Sequence, residues 1–138
     1  MELVPLATLE AAIGGMHLIG SGPAGARTIA EVSDGTMTGE RINGSVKGTS
    51  AADWMVTSAD GVASLDVRLV CETDDGALIY VTYEGRADWS EGPGTKPIYI
   101  APKFETSDER YRWLNAVQAV GKGRLGSGTV TYEIAEVR

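Results

Sequence analysis

Apolar and polar residues alternate through Leu65-Asp66-Val67-Arg68-Leu69 and again through Ile79-Tyr80-Val81-Thr82-Tyr83, the two-residue period of a strand with one buried face. Short runs rich in Val, Ile, Thr and Tyr recur at intervals of about a dozen residues, the spacing of an antiparallel barrel or sandwich. This pattern predicts strands over about 2–13, 26–33, 36–43, 45–48, 53–58, 62–73, 77–88, 97–101, 115–122 and 128–137. Asp34-Gly35, Asp60-Gly61 and Asp75-Gly76 each stand between such runs and supply the positive φ angles of two-residue hairpin turns. Leu3 to Ile13 has some helical character, but Pro5 within it and Gly14-Gly15 after it favour a strand. Gly20–Gly25 and Glu91–Pro97 read as loops.

The segment after Phe104 breaks the rhythm. Thr106 or Ser107 can cap a helix, Asp108 and Glu109 suit its first turn, and Tyr111, Leu114 and Val117 recur at near-helical spacing. A short helix over about 107–114 is predicted, with a longer one reaching Val120 as its competitor. The expected fold is all-β: a closed antiparallel β-barrel with one short helix, in one domain spanning 1–138. No repeat period is evident.

Composition narrows the function. The 138 residues carry a net charge of −7, and the 12 basic residues are scattered rather than striped, which argues against nucleic acid as a partner. No apolar run is long enough to span a bilayer, and the N-terminus lacks the features of a signal peptide; no membrane association and a cytoplasmic location are the expectations. One cysteine, Cys71, and one histidine, His17, leave no zinc-type ligand set, so a metal could be held only by carboxylates. Gly20-x-Gly-x-x-Gly25 matches a dinucleotide fingerprint in form, but a strand follows it where a helix is required. No cofactor is expected. His17 lacks a nucleophile elbow to serve and reads as a packing or surface residue.

A two-residue turn at Asp75-Gly76 would place Thr73 opposite Leu78, Cys71 opposite Tyr80 and Arg68 opposite Tyr83. One face would then carry Leu65, Val67, Leu69 and Cys71, and the other Asp66 and Arg68 with Tyr83 across the turn. Two orientations follow. In one, the apolar face is the core and Asp66–Arg68 is a solvated surface pair. In the other, Asp66, Arg68 and Tyr83 line a lumen around a small ligand, and the apolar face meets a second copy of the chain in a homo-oligomer. Asp53 beside Trp54 offers a carboxylate whose pKa can be raised by desolvation, or a capping residue beside a core indole. Tyr111, Trp113 and Asn115 either complete the pocket or plug one barrel end.

Ala52-Asp-Trp54, Leu65-Asp-Val-Arg68, Thr73-Asp-Asp-Gly-Ala-Leu-Ile-Tyr-Val81 and Phe104-Glu-Thr…Arg110-Tyr-Arg-Trp-Leu-Asn115, in that order, resemble the pattern of a bacterial and fungal domain-of-unknown-function family of small calycin-like barrels. The resemblance covers nearly the whole chain. It implies a closed barrel with a short helix and supports the lumen orientation. The stretch before Asp53 is poorer in glycine than the family pattern. The expected function is cofactor-independent acid–base chemistry of isomerase, cyclase, lyase or hydratase type on a small hydrophobic or aromatic metabolite. Asp53 or Asp66 would carry the proton, Arg68 would stabilise negative charge, and Trp54, Tyr83, Tyr111, Trp113 and Asn115 would bind substrate. The alternative is a non-catalytic carrier of a small hydrophobic ligand.

Overall fold

A computed structural model describes residues 1–138. Ten strands and one 3-10 helix follow in the order β1 (Leu3–Gly22), β2 (Gly25–Thr38), β3 (Asn43–Val46), β4 (Ala52–Thr57), β5 (Val62–Thr73), β6 (Leu78–Asp88), β7 (Ile98–Ile100), β8 (Lys103–Glu105), the helix (Glu109–Ala116), β9 (Ala119–Leu125) and β10 (Thr129–Val137). All pairings are antiparallel. Eight strands close a circuit, β1-β2-β4-β5-β6-β7-β9-β10 and back to β1, while β3 bridges β2 and β5 and β8 extends β6. The fold is therefore all-β and barrel-like with one short helix.

The strand alternation explains why the circuit closes around a core. Ala63, Leu65, Val67, Leu69 and Cys71 of β5 and Ile79, Val81 and Tyr83 of β6 are all buried and share the inner face. They join Leu9, Ile42, Leu114, Tyr132 and Ile134 in one cluster. At Cys71, burial pushes the thiol up to about 11, so the lone cysteine is a packing group.

The β5–β6 register corrects the expected one by a single residue. Cys71 faces Ile79 and Val67 faces Tyr83, because three residues, Asp74-Asp75-Gly76, make the turn. Thr73 N–H donates to the Ala77 carbonyl at 2.8 Å and Gly76 N–H to the Thr73 carbonyl at 2.9 Å, with Gly76 at φ 91°, the left-handed position of a three-residue hairpin. With a period of two, one residue of slip moves a side chain to the other face. Tyr83 consequently stands inside with Val67, and Asp66 and Arg68 stand outside.

Other boundaries also differ. Asp34-Gly35 lies within β2, paired with Ala12 and Ala11 of β1, so 26–33 and 36–43 are not two strands across a turn. The β1–β2 turn is at Pro23-Ala24, with Gly22 opposite Gly25, and β1 runs nine residues beyond its expected end at Ile13. Register shifts at Ala12/Ile13, Ile13/Met16 and Leu18/Gly20 bend this ribbon. The residues after Asp108 form a 3-10 helix rather than an α-helix, and its two-residue displacement from the expected span follows its cap: Asp108 accepts from Arg110 N–H at 3.0 Å. No helix is long and apolar enough to cross a membrane.

Candidate functional site

The two ends of the strand circuit are filled differently. At one end the 3-10 helix inserts Leu114, fully buried, against the core. At the other, an apolar cavity of about 440 Å³ remains between β1, β2, β4, β5, β6 and β10. Its walls include Ile13, Val32, Met55, Leu65 and Val67, and its deep polar groups are Asp53, Tyr83 and Tyr132.

Asp53 reaches the cavity because it pairs with Val67 and Ala30, both inward-facing. Between Asp53/Val67 and Val56/Ser64 the β4–β5 ladder omits two residue pairs. The groups freed there are satisfied otherwise: Asp66 N–H donates to Asp53 Oδ1 at 3.0 Å and Arg27 Nη1 to the Trp54 carbonyl at 2.9 Å. One carboxylate oxygen is thus pinned to the backbone. Asp53 has no salt-bridge partner. Burial pushes its carboxyl up to about 6, against the lowering effect of the Asp66 N–H and with a further rise from the Asp66 charge.

Tyr83 and Tyr132 meet edge to face, ring centroids 5.6 Å apart and planes at 63°. Burial raises both phenols above the ordinary tyrosine range, and the Asp53 charge adds to the rise in each; both stay protonated at neutral pH, so each keeps an O–H able to donate. Gly123 of β9 faces Tyr132 so closely that a Cβ there would collide with the ring. The absent side chain seats the tyrosine.

The mouth of the cavity is framed by Met16 and Leu18 of the β1–β2 ribbon and by Trp89 and Pro93 of the β6–β7 loop. That loop is fastened at its base by Lys96 Nζ on Asp88 Oδ2 at 2.6 Å and by Trp89 Nε1 donating to the Lys96 carbonyl at 3.3 Å. The Lys96 hydrogen bond holds the Asp88 carboxyl well below its usual range. Glu31, also at the cavity, accepts from His17 Nε2 at 2.8 Å. A larger groove of about 740 Å³ lies outside, along β1 and β9. It is less promising chemically, since its charged groups, Glu40, Arg41, Lys122 and Glu133, are all exposed.

Of the residues expected in the site, Asp53 and Tyr83 come together at the cavity and the others do not. Asp66 and Arg68, with side chains 48% and 56% exposed, lie 3.9 Å apart on the outer surface. The lumen orientation of that face is overturned: the apolar face of the ribbon is the interior, so this face is not a surface that a second copy could meet. Trp54 also faces outward, beneath Arg68, whose guanidinium carbon is 5.1 Å from the ring centroid.

Tyr111, Trp113 and Asn115 belong to the closed end. Asn115 accepts from Thr106 N–H and donates to the Thr106 carbonyl, both at 2.8 Å. Tyr111 donates to Asp75 at 2.8 Å, and Trp113 lies 4.6 Å from the Arg41 guanidinium. These contacts fasten the helix. Tyr132 was missed, although its alternation with Val130 and Ile134 and the glycines of β9 mark it as inward-facing. Trp89 and Glu31 carry no comparable sequence signal, because loop course and ribbon bending bring them to the mouth.

This architecture has known relatives. The sequence profile of a family described as "Protein of unknown function (DUF3237)" matches residues 1–137. The chain belongs to the DUF3237 family. Among its relatives, a UPF0311 protein of Bradyrhizobium diazoefficiens is 31% identical over 94% of this chain and 92% of its own length. The hydroalkoxylation enzyme phnH of Penicillium herquei is 32% identical over 69% of this chain and 56% of its own. In three dimensions, a beta-barrel-like protein of Acinetobacter baumannii matches with TM-score 0.88 and 30% identity, covering 99% and 96% of the two chains. An enzyme from Penicillium herquei matches with TM-score 0.75 and 25% identity, covering 99% and 94%. This DUF3237 chain thus has a distant homologue that is an enzyme with a similar fold.

Proposed function

We propose that this chain is a cofactor-independent enzyme in which Asp53 moves a proton on a small, largely apolar substrate held in the cavity. The observation that carries the reading is Asp53 itself: a carboxyl pushed up to about 6 by burial, with one oxygen fixed by the Asp66 N–H, beside two protonated phenols. A general base with a pKa slightly below working pH is mostly ionised yet returns its proton readily. The kinship to a hydroalkoxylation enzyme supports an addition of this kind as the reaction class.

Hydroalkoxylation adds an alcohol O–H across a carbon–carbon double bond. Asp53 would accept the hydroxyl proton as the oxygen attacks one alkene carbon and would return it to the other carbon, which restores the carboxylate. The C–O and C–H bonds formed replace the O–H bond and the alkene π bond, so no electrons leave the substrate. Tyr83 and Tyr132 would donate hydrogen bonds to oxygen that gains charge, and the apolar walls would hold the reacting groups in register. Asp53→Asn preserves an acceptor for the Asp66 N–H and removes the base. Screened against hydroxy-alkenes and other proton-transfer substrates, wild type is expected to turn over a compound that the variant converts at least a hundredfold more slowly. Equal rates would overturn the proposal, and binding without conversion would identify a carrier instead.

A further inference from the structure

The cavity contains a charge asymmetry that bears on what can enter it. Among its lining residues the ionisable groups are Asp53, Glu31, Tyr83 and Tyr132; no lysine, arginine or histidine lines it. The charged guanidinium of Arg68 is on the outer face, Lys96 is tied to Asp88 in the loop, and His17 is spent on Glu31. Apart from those four ionisable groups and Thr28 and Thr57, the lining is apolar. A carboxylate, phosphate or sulfonate entering this space would lose its hydration without meeting a cation and would face two acidic groups.

We infer that the substrate of this site is electrically neutral, and that the cavity rejects carboxylated, phosphorylated or otherwise anionic versions of the same skeleton. The inference rests on Asp53 as proton carrier, because a cationic ligand would hold that carboxylate ionised and end its exchange of protons. It also constrains the preceding chemistry. The reaction that supplies the substrate must release it free of any anionic handle, by hydrolysis from a phosphate-bearing carrier, by decarboxylation, or by building a neutral molecule outright.

Two fluorescent probes share one skeleton and differ in charge: N-phenyl-1-naphthylamine, neutral, and its 8-sulfonate, anionic. Titrated into the intact protein at pH 7.5, the neutral probe is expected to bind at least tenfold more tightly. In Asp53→Asn, Glu31→Gln and the double variant that preference should narrow at least threefold, which assigns it to charge in the cavity rather than to sulfonate bulk. Glu31 is exposed, so its variant tests the idea even if the other fails to fold. Equal affinity for the two probes, an unchanged preference in the variants, or tighter binding of cationic 1-naphthylmethylammonium would overturn the inference. Because binding is read without turnover, loss of this preference is distinguishable from failure of Asp53 as a catalyst.

Discussion

The closed and open ends of the strand circuit use the same residue types and arrive at opposite electrostatics. At the closed end, Asp75 accepts from Thr73 and Tyr111 and lies 3.4 Å from the Arg110 guanidinium, and Asp108 accepts from Arg110 at 2.9 Å. Hydrogen bonds, those from Thr73 to Asp75 and from Arg110 to Asp108 first, lower both carboxyls below the ordinary range. At the open end, Asp53 has a single backbone donor, no cation and an apolar surround, and its carboxyl is raised to about 6. Acidic and aromatic residues close together do not by themselves mark a reactive site. Solvent access and the number of donors decide whether the carboxylate is satisfied and inert or poised to exchange a proton.

The largest expected break in this comparison is in turnover. Removing the Asp53 carboxylate by Asp53→Asn should lower kcat by about 10²–10⁴, the usual contribution of general acid–base catalysis, whereas closed-end variants should leave it near wild type. Steady-state rates on a substrate of the wild-type protein decide between these. The converse experiment is Asn115→Ala, which strands the Thr106 N–H and carbonyl bonded at 2.8 Å. A loss of about 1–3 kcal/mol in urea unfolding is expected, with kcat unchanged.

A third test concerns stability against pH. The folded pKa of Asp53 lies above 3.8, so the native state holds the proton more tightly than the unfolded chain. The Asp53 contribution is most favourable below pH 3.8 and is lost as pH rises through about 6. Asp53→Asn should therefore be more stable than wild type at pH 7, by of order 2 kcal/mol, and the difference should shrink toward pH 4. Denaturant melts across this range provide the check. The smallest effect belongs to the outer face: Arg68→Ala should change stability by no more than about 1 kcal/mol, with turnover unaffected.

The sequence made much of the architecture legible. Alternation in β5 and β6 and the two Asp-Gly pairs at Gly61 and Gly76, both at positive φ, specify antiparallel hairpins because those signals are local. What failed was the count of turn residues. Whether Asp74 belongs to the strand or the loop depends on Thr73, whose hydroxyl accepts from Ala77 N–H at 2.8 Å and donates to Asp75 at 2.6 Å. Composition alone does not reveal that choice, and it moved Tyr83 across the sheet. Asp34-Gly35 misled for a related reason: the dipeptide fits a turn, but pairing with Ala12 and Ala11 of a distant strand keeps it extended.

The candidate site was legible only where neighbours in sequence are neighbours in space. Asp53 beside a strand end was visible. It shares a row with Tyr83 through Val67 of β5, a placement set by the β5–β6 register, and its encounter with Tyr132 depends on closure of the whole circuit between β10 and β1. The aromatic and amide groups after Phe104 attracted attention by density alone, yet their hydrogen bonds are used up in fastening the helix.

The most direct test of the account is the titration of Asp53 followed by carboxyl ¹³C NMR, assigned by comparison with Asp53→Asn. A midpoint near 6, well separated from the low-titrating Asp75 and Asp108, is the predicted result. A midpoint near 3.8 would show a carboxylate as well solvated as any on the surface and would contradict the distinction between the two ends.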